Sequence, residues 1–101
     1  MSFDMYSGNL HDAIHPHEEY LLAIAANAPK KYPELTALRD RFYDDPRISV
    51  EQCDALLHEL IDLLSDHVNK NDIISVNLIS RLLSFFSLAR RSDRAIVCKS
   101  D

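Results

Sequence analysis

Glycine is almost missing from this chain: one residue in 101, Gly8. Folds built wholly from strands use glycine at turns that need positive φ, and phosphate-binding loops use it where the backbone must approach its ligand. A single glycine excludes Walker and dinucleotide fingerprints and leads to the expectation of a mostly helical chain. Cysteine is scarce as well. Cys53 and Cys98 cannot form a disulfide framework, so reduced thiols and a cytoplasmic setting are expected. Basic side chains are outnumbered 11 to 16, for a formal net charge of -5 at pH 7. Nucleic-acid binding draws most of its affinity from phosphate neutralisation and is therefore not expected. The opening MSFDMYSGNL has neither the basic stretch nor the apolar run of a secretory signal. The most apolar segment, IISVNLISRLLSFFSLA, is short for a bilayer and carries Arg81, Asn77 and four serines, so no membrane role is expected.

What the chain does have is helical periodicity, broken by four prolines that all lie in the first half. Pro16 suits the first position of a helix, and Glu18 and Glu19 favour its positive end. Tyr20, Leu21, Ile24 and Ala28 then share a face, which places a first helix over residues 16–28, ended by Pro29. Leu35, Leu38 and Phe42 mark a second helix over residues 33–43, which stops at Asp45-Pro46. Ser49 and Gln52 have the spacing of a capping box. Behind them Cys53, Leu56, Leu57, Leu60, Ile61 and Leu64 form the stripe of a third helix over residues 50–67. A fourth helix over residues 72–91 starts near Asn71 or Asp72 and ends at Arg90 and Arg91.

The fourth helix is apolar around most of its circumference, with Asn77, Ser80, Ser84 and Ser87 on one narrow stripe. Such a helix belongs at the centre of its domain, or under a second copy of the chain. The serine stripe suits close approach by a neighbouring helix. The expected fold is all-α: a single helical domain over residues 1–101, a bundle of about four helices. Short strands at the termini are an option, residues 95–98 beside residues 3–6.

Candidate chemistry is sparse. HDAIHPHEEY, residues 11–20, gathers His11, His15 and His17. His11 and His15 have helical ligand spacing, but Pro16 pushes its predecessor out of the helical region, so the rings need not converge. The segment reads instead as a helix entrance with His15 at the N-cap, and no metal is expected. HELID, residues 58–62, has Asp62 where a zincin helix carries its second histidine; His58 and Asp62 face solvent. Cys53 reads as a small buried hydrophobe, and Cys98, with Arg94 and Lys99 nearby, as the more reactive thiol. No catalytic set and no cofactor follow from these residues.

Charge is the remaining signal. Residues 1–72 hold 14 acidic and 6 basic side chains, whereas residues 73–101 hold 2 and 5. Glu51, Asp54, His58, Glu59, Asp62 and Asp66 fall on the outward side of the third helix, a docking surface for lysine and arginine. The expectation is a small acidic, non-enzymatic protein-binding module with a basic partner, for example an immunity or antitoxin-type inhibitor of a basic toxin. The alternatives are a structural module that dimerises through its fourth helix, and a metal-binding protein using the N-terminal histidines.

Overall fold

Phe3, Asp4, Met5, Tyr6 and Ser7 alternate in burial, with Phe3, Met5 and Ser7 inside and Tyr6 exposed. That is the pattern of a strand with one face on a core. In the computed structural model, which describes residues 2–100, Phe3–Ser7 is the first strand, β1. Met1 and Asp101, the ends of the expected domain, lie outside the described residues. Gly8 and Asn9 turn the chain into Leu10–Ile14 (β2), antiparallel to β1 with Ser7 opposite Leu10.

The one glycine stands at the first position of this two-residue loop with φ +59°, where tight hairpin turns demand positive φ. A Cβ there would also meet the Arg94 guanidinium. Gly8→Ala is expected to cost roughly 1–2 kcal/mol, the penalty of holding an L-residue left-handed. Gly8→Asn should cost no less, because its Cβ meets the same guanidinium and Gly8 alone carries positive φ in the loop, the glycine position of a type II′ turn. Denaturation midpoints in urea check both, and an unshifted Gly8→Ala midpoint contradicts the account.

A single 3-10 turn, Pro16–Glu18, leads into Tyr20–Ala26 (α1) and Pro33–Asp40 (α2). The two-residue strand Arg47–Ile48 (β3) follows, then Val50–Asn69 (α3), Ile73–Arg91 (α4) and Ile96–Ser100 (β4). The Ser49 capping box forms: its Oγ accepts the Gln52 N–H at 3.2 Å, and Gln52 Oε1 accepts the Ser49 N–H at 2.9 Å. Asp72 caps α4 by accepting the Ser75 N–H at 3.2 Å.

Both long helices end on a left-handed residue, Asn71 and Asp93, each at φ 56°. The N–H beyond it reaches back to the helix, Asp72 to the His67 carbonyl at 3.1 Å and Arg94 to that of Ala89 at 3.3 Å. These are Schellman closures, usually made with glycine.

β4 pairs antiparallel with β1, Val97 opposite Tyr6, and β3 pairs with β4, giving the order β2-β1-β4-β3. The Cys98 N–H donates to the Pro46 carbonyl at 3.1 Å, and Asp45 Oδ1 accepts the Ser100 N–H at 2.9 Å. The all-α expectation is therefore corrected. Of the described residues 58% are helical, but a four-stranded antiparallel sheet makes the fold α+β. One glycine suffices for this fold because aspartate and asparagine fill the other left-handed positions: Asp45, Asn71 and Asp93 carry positive φ beside Gly8. The terminal segments do lie side by side, as the two inner strands of the sheet rather than as accessories to a bundle.

One sheet face, with Phe3, Met5, Ile96 and Cys98, packs under the helices; Tyr6, His11, Val97, Lys99 and Arg47 remain exposed. Phe3 stacks on Phe42 with ring centres 4.2 Å apart, joining β1 to the end of α2. α3 and α4 form an antiparallel hairpin, with the Cys53 Sγ–H donating to the Phe86 carbonyl at 3.2 Å. α4 is long and apolar enough to cross a membrane by length and composition. Here Leu78, Ile79, Leu82, Phe85, Phe86 and Ala89 fill the core instead. Its serine stripe is a correction to the close-approach reading: Asn77, Ser80, Ser84 and Ser87 are exposed. Ile61, expected in the α3 stripe, is also exposed, and Leu63 is buried in its place.

Candidate functional site

α3 carries the six side chains expected to meet a partner, and the fold divides them. Glu51, Asp54, His58 and Asp62 are exposed. His58 Nδ1 lies 2.9 Å from the Asp54 carbonyl, which places the ring hydrogen on that nitrogen and fixes the imidazole along the helix. Asp54 is 3.6 Å from the Arg90 Nε, a loose, solvated pair.

Glu59 is the departure. Only 7% exposed, it points into the seam with α2 rather than outward. The cause is at the start of α2. Tyr32 stands at its N-cap without a side-chain cap, and Pro33 has no N–H to donate. The next two donors are then met from outside the helix: Glu59 Oε2 accepts the Glu34 N–H at 3.0 Å and Oε1 the Leu35 N–H at 2.9 Å. Glu59 thus caps α2 from α3, a job normally done by the N-cap side chain itself. Burial pushes its carboxyl above the ordinary range and outweighs both hydrogen bonds, and the nearby carboxylates Glu34 and Asp62 push it the same way.

Asp66 is also engaged within the fold, accepting from the Tyr32 hydroxyl at 2.9 Å and from Lys31 Nζ at 3.1 Å. Those bonds, Tyr32 first, hold its carboxyl below the usual range. The outward acidic surface of α3 consequently narrows to Glu51, Asp54 and Asp62, with His58 among them.

The N-terminal histidines separate. His11 lies on the open sheet face, its ring stacked 4.7 Å from Tyr6 and its Nε2 3.3 Å from Asp4. His15 stands at the N-cap of the 3-10 turn: its N–H donates to Glu18 Oε1 at 3.0 Å, and its carbonyl accepts the Glu18 N–H at 2.8 Å. The His15 and His17 rings stack on each other at 5.8 Å. Among the described residues no group of three histidine, cysteine or carboxylate side chains is placed to hold a metal ion.

Glu18 belongs to a network that β2 and α4 share. Arg81 donates to both Glu18 oxygens at 3.0 Å and to the Ala13 carbonyl at 2.6 Å, with Asp12 3.2 Å from its Nε. Burial acts to raise the Glu18 pKa, but the Arg81 bonds, the His15 N–H and the adjacent positive charge together hold it below the ordinary value. His67, on the inner side of α3, is buried with Nδ1 3.2 Å from Asp72 Oδ2.

Both cysteines are free and buried. Burial pushes Cys53 to about 11 and Cys98 to about 12, so the expectation of a reactive Cys98 is corrected. Lys99 and Arg94 neighbour Cys98 in sequence, but the strand sends it into the core and leaves Lys99 in solvent.

Two open clefts flank Tyr20. One, about 360 Å³, lies between α1 and the end of α2 and includes Glu19, Leu22, Arg39, Phe42 and Tyr43. The other, about 300 Å³, lies between the 3-10 turn and the start of α4, with His17, Ile74, Asn77, Leu78 and Arg81. Periodicity put Tyr20 on a buried face, yet it is partly exposed, its hydroxyl 2.8 Å from Ser75 Oγ. The available sequence signal was Ile73-Ile74, an apolar pair directly after a helix cap. Comparison with known protein families, curated proteins and solved structures finds no match to this chain.

Proposed function

We propose that this chain is a small acidic, non-enzymatic module that binds a basic protein partner in the cytoplasm. An immunity-type inhibitor of a cationic toxin is its concrete form. The observation that carries the reading is the exposed stripe of Glu51, Asp54 and Asp62 on one rigid helix, on a chain of net charge -5. Carboxylates held at helical spacing on a packed scaffold meet lysine and arginine with little ordering cost. Such surface charges act mainly on association rate and partner choice.

The test is charge reversal at the three exposed positions together, Glu51→Lys, Asp54→Lys and Asp62→Lys. Glu59 is left intact because reversing it would break the α2 cap. A partner captured from the host at low salt and then purified should bind the triple variant roughly tenfold or more weakly, mostly through slower association. The salt dependence of binding should flatten. Equal affinity and equal salt dependence for the two proteins would defeat the proposal.

A further inference from the structure

Several of the large exposed apolar side chains lie on α1, just after α2 and at the start of α4. Ile73 and Ile74 open α4 at 71% and 78% exposure, Tyr43 follows α2 at 61%, and Tyr20 and Ile24 lie one turn apart on α1. Ile74 and Tyr20 share one cleft and Tyr20 and Tyr43 the other, so Ile74, Tyr20 and Tyr43 are joined through two adjoining clefts. Leu78, Leu22 and Phe42 floor the clefts. The two tyrosines are already held in place: Tyr20 by Ser75 at 2.8 Å, and Tyr43 by donating to Glu19 Oε1 at 3.3 Å. Large aromatic anchors with fixed hydroxyls lose little freedom on binding, which makes them efficient contact residues.

The rim says what fits. Glu19, at the N-cap of α1, and Arg39, on α2, stand around the same cleft. Glu19 receives the Tyr43 hydroxyl, and among the described residues Arg39 has no ion pair. One carboxylate and one guanidinium leave this rim without net charge on a chain of net -5. Two copies that met through their α3 faces would bring carboxylates together. Meeting here, related by a two-fold axis, each would present its carboxylate to the other's guanidinium.

We infer that two copies of this chain associate through the Ile74–Tyr20–Tyr43 face, with Glu19 of each copy paired to Arg39 of the other. A stable interface of ordinary size takes about 800 Å² from each partner. On a molecule exposing 5798 Å² that is a whole face, so both clefts and the side chains around them act together. The middle of α4, with its exposed serines, is not the contact. The α3 carboxylates take no part, so this inference and the partner-binding proposal can fail independently.

Sedimentation velocity of the full chain across micromolar concentrations should show a monomer–dimer equilibrium. Ile74→Glu, at a position exposed enough to leave the circular dichroism and melting curve unchanged, should weaken it at least about tenfold. Glu19→Arg alone and Arg39→Glu alone should each weaken self-association, and mixing the two should restore a one-to-one heterodimer. A wild-type chain that stays monomeric throughout overturns the inference, even if a basic protein binds this face. So does a dimer indifferent to Ile74→Glu and to the charge exchange.

Discussion

Glu59→Ala is expected to lower the unfolding free energy by roughly 2–6 kcal/mol, because it orphans two backbone donors at about 1–3 kcal/mol each. A domain of this size has about 5–15 kcal/mol in total, so the melting temperature should fall by on the order of 10 °C or more. Glu59→Gln separates capping from charge. The amide keeps one acceptor oxygen but turns an N–H donor toward the other backbone N–H, so about half of the loss should remain.

The pH dependence has a defined sign. The folded carboxyl lies above its ordinary value, burial being the larger cause. The contribution linked to its protonation is fully present below the unfolded value and is lost as pH rises through the folded one. Glu59→Gln should remove that fall while retaining a smaller, pH-independent deficit. Calorimetry across the mildly acidic range measures both. A Glu59→Ala protein as stable as wild type would show that water satisfies α2 and that the cap contributes nothing.

The second large effect is expected at Arg81. Breaking a fully buried ion pair costs about 3–5 kcal/mol; with the Arg81 side chain 41% exposed, Arg81→Met should cost roughly 2–3 kcal/mol. The loss comes less from missing attraction than from Glu18, whose side chain is 11% exposed and would keep a charge without its partner. Adding Glu18→Leu should then recover part of the deficit. Strictly additive single effects would rule out coupling.

Glu18 titrates low, the opposite sense to Glu59. Its contribution is present above the unfolded carboxylate pKa and disappears as pH falls through the folded value, where the gap between wild type and Arg81→Met should narrow to what Arg81 contributes at Ala13 and Asp12. The same substitution uncovers the outer edge of the sheet. Ala13 sends its N–H to Asp12 Oδ1 at 2.7 Å and its carbonyl to Arg81 at 2.6 Å. Without Arg81 that carbonyl is free to pair with another strand, so Arg81→Met should also aggregate more readily on heating.

These residues show where one-dimensional pattern stops. Ser49, Asp72 and Pro33 act through neighbours one to three positions away, and each marks a helix start that the structure contains. Phe3, Met5, Ile96 and Cys98 alternate clearly enough to lie side by side as strands. β2 does not alternate: Ala13 and Ile14 are buried in succession while His11 is exposed, so period two is lost. β3 has two residues, too few for any period. Among the six α3 side chains, periodicity placed Glu51, Asp54, His58 and Asp62 outward, where they are exposed. It could not anticipate that α2 would arrive with two open donors beside Glu59, or that Tyr32 and Lys31 would engage Asp66.

Local order alone determined the starts of α2, α3 and α4, the apolar character of α4 and the acidic character of α3, because each depends on residues within a few positions along the chain. Tertiary structure decided that the termini become the middle of a sheet, that one of the carboxylates turns inward as a cap, and that Tyr20 stands between the clefts that hold Tyr43 and Ile74. Those outcomes depend on which donors, rings and strand edges are brought together from distant positions. Spacing within a single helix carries no record of them.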